Sequence, residues 1–189
     1  NEVARLPEWL EYLDSLGVDA IILADVGTLA LAAAHAPHVE RHISTQASVV
    51  NYQSARAWHQ LGAKRVILAR ELSLEEIREI RGRTPPSLEI EAFVHGALCM
   101  SFSGACLYSS MAGERSGNRG TCAQPCRKPC ALNRRPGEGD YALSLSDLCM
   151  LEHLGDLEKA GVSWLKIEGR MKRPAYVAGV TAAYRAALD

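Results

Sequence analysis

Three stretches of the chain repeat one pattern of apolar and polar positions: Leu10 to Asp25, Ala55 to Glu71 and Leu154 to Arg170. Each begins with apolar residues at helical spacing, breaks at a glycine, and continues as a short run of apolar, mostly β-branched residues. The pattern predicts a helix closed by Gly17, Gly62 or Gly161 at its C′ position, followed by a strand covered on both faces. His38 to Thr45 and Ser87 to Gly96 read as two further strands, so that five are expected near 20–24, 39–43, 65–69, 89–94 and 163–167. Helical spacing returns between them in VGTLALAAAHA, ELSLEEIREIRGR and PAYVAGVTAAYRAAL. Ser73 and Glu76 form a predicted capping box at the start of the second of these.

Strands alternating with helices imply parallel βα units joined by right-handed crossovers. A (β/α)8 barrel takes eight such units and about 250 residues. Five units fit a partial barrel whose first three units lie upstream of Asn1, and a start inside a helix without Met is what a fragment would show. An open α/β sheet is the other architecture that the pattern allows. The expected organisation is one α/β unit over residues 1–189, interrupted by a cysteine-rich insert at 95–140.

Composition adds limits. The 189 residues are 48% hydrophobic and 23% charged with a formal net charge of −1, which is ordinary for a globular protein. A charge so near zero provides no global attraction for nucleic acid, so RNA affinity would need a local patch. No apolar run is long enough to span a bilayer or carries the flanks of a secretion signal, and a cytoplasmic location is expected.

The insert holds the candidate chemistry. Five of the six cysteines fall between His95 and Cys130 with the spacing C-x6-C-x15-C-x3-C-x3-C, at Cys99, Cys106, Cys122, Cys126 and Cys130. Glycines and polar residues separate them, with almost no helical periodicity, and a long irregular segment inside a compact domain is usually functional. A thiolate-held metal centre would offset the entropy of ordering it. Disulfides suit an exported protein better than this one. Zinc usually takes paired C-x2-4-C knuckles, whereas iron–sulfur spacings vary more; spacing alone leaves these two metals open.

EAFVHGALCMSFSGACLYSS followed by GNRGTCAQPCR resembles the signature of the collagenase-like peptidase family of unknown catalytic type. KIEGRMKRPAYV, HISTQASVVN and LARELS resemble three more of its motifs, in the family's order. The resemblance is nearest the branch that makes 5-hydroxycytidine in 23S ribosomal RNA. It implies a barrel and an oxygen-independent hydroxylase of RNA pyrimidines (ribosomal or transfer RNA), with prephenate as co-substrate. It further implies a [4Fe-4S] cluster on Cys99, Cys106, Cys122 and Cys126. Cys130 departs from the family, which has an aromatic residue there. Cys149, in an apolar setting, reads as a small buried hydrophobe. The family's older label implies a peptidase instead, and neither H-E-x-x-H nor G-x-S-x-G occurs. A ubiquinone-precursor hydroxylase and a non-catalytic RNA-binding module are further alternatives.

Other site residues follow from type and place, because barrel enzymes react at the C-terminal ends of their strands. His95, Glu168 and Arg170 are the catalytic candidates. Arg170 has the fork that a carboxylate or phosphate requires, and Glu168 is placed to orient it or to move a proton. Gln46 and Arg70 follow other strands and are candidates for substrate binding. Arg115 to Arg135 carries six basic residues and no acid. Arg119 and Arg127 from this run, with Lys172, are candidates for RNA phosphates.

Overall fold

The computed structural model describes residues 2–130, 141–169 and 172–189. The chain divides into two compact units, Asn1–Phe93 with Leu151–Lys166, and Val94–Met150 with Ile167–Asp189. The PGEGD turn, Arg134 and Arg135 from the basic run, and Arg170 lie outside the described residues.

In the first unit helices and strands alternate as the pattern predicts. α1 (Glu2–Ser15), β1 (Ala20–Leu23), α2 (Val26–His35), β2 (Glu40–Ile43) and α3 (Tyr52–Gln60) lead to β3 (Arg65–Ile67), α4 (Leu74–Gly82) and β4 (Glu89–Gly96). After a break come α6 (Leu154–Lys159) and β6 (Trp164–Ile167). β1, β2, β3 and β4 pair in chain order and in parallel, with Ala20 opposite Glu40, His42 opposite Arg65, and Arg65 opposite Glu89. β6 pairs with β4. Gly17, Gly62 and Gly161 all have positive φ, at 66°, 97° and 82°, so each helix ends at the residue the pattern assigned. The Ser73 capping box is formed, with the Ser73 backbone N–H donating to Glu76 Oε2 at 2.7 Å.

One face of this sheet is apolar and meets the helices. Ile43, Val66, Leu68 and Ile90 from the strands and their extensions pack with Leu10, Leu29, Ile77 and Ile80 from the helices. The other face departs from the expectation of strands covered by apolar residues on both sides. Side chains alternate across a strand, so Glu89, Glu91 and Phe93 share the face opposite Ile90 and Ala92. There Arg65 donates from Nε to Glu89 at 2.9 Å and from Nη1 to Glu91 at 3.1 Å. Lys166 Nζ reaches Glu91 at 3.1 Å, and the Arg65 guanidinium lies 3.7 Å from the centre of the Trp164 ring. Arg65 and Glu91 are buried, and such charges persist in an interior only when paired. Burial raises the Glu89 carboxyl, but Arg65 and Lys64 outweigh it and hold the group below the usual carboxylate range.

The second unit contains the end of β4, the cysteine segment, α5 (Tyr108–Gly113), the short strand β5 (Leu148–Cys149) and α7 (Pro174–Leu188). β5 was not expected; it runs antiparallel to β4, with His95 opposite Cys149 and Gly96 opposite Leu148. The cysteine segment is less irregular than its periodicity suggests. Its described residues include α5 and the 3-10 turns Phe102–Gly104 and Pro125–Arg127. Elements this short complete too few turns to leave a periodic signature. No described helix is long and apolar enough to cross a membrane.

Candidate metal and active site

The second unit assembles its site at the end of β4. His95 is the penultimate residue of the strand, and its carbonyl accepts from the Glu168 backbone N–H at 2.8 Å. Gly96 makes this approach possible. Its φ is 105°, and a Cβ there would collide with the Glu168 carbonyl. The strand's last two residues therefore bring His95 and Glu168, 73 positions apart in sequence, to adjacent backbone positions. The His95 ring lies between two tyrosines of α7, with ring centres 6.0 Å from Tyr176 and 5.5 Å from Tyr184.

The chain then enters the cysteine segment. Cys99, Cys106, Cys122, Cys126 and Cys130 are all half-buried and none is in a disulfide. Gln124 adopts a left-handed conformation, φ 54°, which turns its N–H back to donate to Cys122 Sγ at 3.3 Å. Tyr108 N–H donates to Cys106 Sγ at 3.3 Å. Each bond ties a sulfur to the backbone two residues further on. The two halves of the segment are tied together through buried Ser109, whose Oγ accepts from Ala123 N–H at 2.8 Å. Gly117 bridges them as well: a Cβ there would stand 3.8 Å from the Cys106 carbonyl and 3.9 Å from Cys122 Sγ. Burial pushes the Cys126 thiol up, the Arg127 cation pulls it down, and the charges of Cys99 and Cys122 push it up again. These contacts relate Cys99, Cys122 and Cys126 electrostatically, and Cys106 to Cys122 through Gly117.

This donor set fits a thiolate-bound metal group. Among the described residues, no three of these sulfurs lie within 4.8 Å of one another. A single zinc ion at about 2.3 Å from each sulfur would draw them to roughly 3.8 Å. The described trio that is so close, Glu40, His42 and Glu89 in the first unit, is already neutralised: Arg65 lies 2.8 Å and Lys64 3.6 Å from Glu89.

The remaining candidates divide between the units. Arg127 is turned inward: Nη2 donates to the Leu98 carbonyl at 2.7 Å, and Nη1 to Ser144 Oγ at 3.0 Å and to the Leu145 carbonyl. Lys172 pairs with Asp147 at 3.0 Å and lies 5.0 Å from the centre of the Tyr176 ring. Arg119 is exposed. In the first unit, half-buried Gln46 follows β2 in a 3-10 turn, and the Arg70 guanidinium lies 5.0 Å from the centre of the Phe93 ring. Cys149, read from sequence as a buried hydrophobe, is exposed. It lies on a two-residue strand whose apolar neighbours in sequence do not cover it. Sequence reasoning missed Tyr176 and Tyr184; their spacing of eight residues, just over two helical turns, was the available signal that they share a face.

The model of peptidase family U32 matches residues 1–189. The chain is 38% identical to tRNA hydroxylation protein P of Escherichia coli, over 92% of this chain and 49% of that protein. It is 41% identical to 23S rRNA 5-hydroxycytidine C2501 synthase of the same organism, over 92% of this chain and 26% of that one. It is 33% identical to a collagenase of Porphyromonas gingivalis, over all of this chain and 49% of that one. The chain thus spans about half the length of the first and third of these relatives, and less of the second. With a family model covering it from end to end, and the cysteine segment, β4 and α7 inside that match, the chain belongs to peptidase family U32.

Proposed function

We propose that this chain is part of an enzyme that hydroxylates a pyrimidine base of RNA without oxygen, with prephenate as the co-substrate. The observation that carries the reading is the gathering of free thiols in the second unit, in a chain whose relatives include proteins named for tRNA and 23S rRNA hydroxylation. Cys99, Cys106, Cys122 and Cys126 would hold a [4Fe-4S] cluster. Four thiolates are the donor set that such a cluster takes. Such a cluster supplies single-electron chemistry at a potential set by its charge, hydrogen bonds and exposure.

Around it the chain's own residues would do three things. His95 and Glu168, joined by a backbone hydrogen bond, would accept and return a proton at the base or the co-substrate. Arg170 and Arg70 would hold carboxylates as bidentate pairs. Exposed Arg119 and Lys128 would contact RNA phosphates, Arg127 donates to carbonyls within the unit and would shape the loop, and Lys172 forms an exposed pair with Asp147. The parallel order of β1 to β4, with β6 beside β4 and a charged face opposite the helices, is read as part of a (β/α)8 barrel.

Full-length protein purified without oxygen tests this. Iron and sulfide in equal amounts, and a prephenate-dependent gain of one oxygen on a pyrimidine nucleoside by mass spectrometry, are expected. Stoichiometric zinc without iron, or cleavage of collagen with no modified base, would overturn it and favour the peptidase reading that the collagenase relative represents.

A further inference from the structure

The Tyr184 hydroxyl is a junction that no motif announced. It is buried, the one buried residue of α7, and it meets Val94, Met150 and His95 in the second unit, with the Cys149 thiol beside it. It donates to the Val94 carbonyl at 2.7 Å. It accepts from the Met150 backbone N–H at 3.1 Å, a donor that the Val94 carbonyl shares at 2.9 Å. It faces His95 Nδ1 at 3.3 Å. A phenol has one proton and two lone pairs. The Val94 carbonyl can only accept, so the phenol's proton goes there, and the Met150 N–H can only donate, so it fills one lone pair. One lone pair is left for His95 and for the Cys149 thiol, a weak donor, so His95 Nδ1 meets a lone pair and no proton. For that contact to be a hydrogen bond, Nδ1 must carry the ring's proton. Burial pushes the Tyr184 phenol up, so it remains a neutral hydroxyl throughout the neutral pH range.

We infer that Tyr184 is a positioning residue that holds neutral His95 in its Nδ1–H tautomer and leaves the Nε2 lone pair as the group that meets the substrate. The ring plane is fixed at the same time, because Tyr184 meets it edge-on, at 79°. A histidine whose remote nitrogen is fixed by a hydrogen bond presents a base of defined direction at the other. The involvement of Nε2 in turnover rests on the function proposed above; the tautomer does not.

The test is the 15N spectrum of histidine-labelled full-length protein, at a pH where His95 is neutral. The His95 signals are assigned by their loss in His95→Gln. The wild-type protein is expected to show Nδ1 protonated. Tyr184→Phe keeps the ring and is expected to shift the signal towards the Nε2–H form that free imidazole side chains favour. Turnover should fall about ten- to a hundredfold, less than the full contribution of one general base because the ring stays in place, with the KM for RNA unchanged. Tyr176→Phe, which keeps the other ring beside His95, is expected to leave the tautomer as in wild type.

A wild-type spectrum with Nε2 protonated would overturn the inference without any variant, so poor folding of Tyr184→Phe does not protect it. Retention of Nδ1–H in a folded Tyr184→Phe would also overturn it, as would a shifted tautomer with turnover unchanged. Wild-type protein that shows the Nδ1–H tautomer but hydroxylates no RNA would defeat the proposed function while leaving the role of Tyr184 in the tautomer standing.

Discussion

Replacing Arg127 separates a residue that holds the loop from the exposed cations proposed to meet RNA. Its guanidinium spans two segments of the second unit, the Leu98 carbonyl on one side and Ser144 and the Leu145 carbonyl on the other, with Asp147 4.0 Å away. Hydrogen bonds from a charged donor contribute about 1.5–3 kcal/mol each to stability. The side chain is 22% exposed, so water would replace part of what Arg127→Ala removes. A net loss of about 3 kcal/mol is therefore expected, close to a 150-fold rise in local opening of the loop. The same change removes the cation that favours the Cys126 thiolate against the charges of Cys99 and Cys122. Arg127→Ala should lose hydrogen-exchange protection at residues 98–99 and 144–148 and should retain less iron and sulfide. Arg127→Lys should behave similarly, because a point charge cannot bridge carbonyls on two sides. Arg119→Ala should instead keep the metal and reduce the salt dependence of RNA binding by close to one unit of slope. Full protection and full metal content in Arg127→Ala, with weaker RNA binding alone, would refute this reasoning.

Gly96→Ala should destabilise the protein by more than about 3 kcal/mol in urea unfolding, since its φ of 105° and the Glu168 carbonyl both oppose a side chain. Glu89 has a carboxyl held low in the folded state, so the stability it contributes is present above the ordinary glutamate pKa and is lost as pH falls through the lower folded value. Glu89→Gln should accordingly flatten the acid limb of a stability–pH profile, and an unchanged acid limb would count against the Arg65 pairing. Cys149→Ser should leave iron content unchanged, because that thiol is exposed on β5 and is not among the four proposed ligands.

The sequence makes the order of elements legible because three independent signals coincide at each unit. Apolar spacing marks the helix, a glycine its end, and a β-branched run the strand, so α1–β1, α3–β3 and α6–β6 are each found in place. What it does not disclose is the character of the sheet's second face. Arg65, Glu89, Glu91 and Lys166 sit inside runs that look continuous because Val66, Ile67, Ile90 and Ile167 surround them. A charge within a strand reads as a solvent-facing position until its partner on a neighbouring strand is known, and pairing across β3, β4 and β6 is long-range information. β5 escaped for a different reason: two residues paired antiparallel to a strand end have no periodicity to detect.

The candidate site shows the same division between local and long-range information. The cysteines are candidates because their chemistry is in their identity, and His95 because it lies near the end of a strand. Arg127 was assigned to RNA because the sequence shows a charge run, and a run carries no sign of whether a guanidinium points outward or into carbonyls. The structure turns it inward, onto the Leu98 and Leu145 carbonyls. Tyr184 is the clearest case of the limit. It lies 89 residues from His95 in a helix whose apolar spacing looks entirely structural, yet its hydroxyl meets Val94, Met150 and His95 at once. A tyrosine that is both core and hydrogen-bond junction satisfies the helical pattern whichever role matters, so no pattern could have separated them. The geometry can, because a single proton has only one carbonyl to go to.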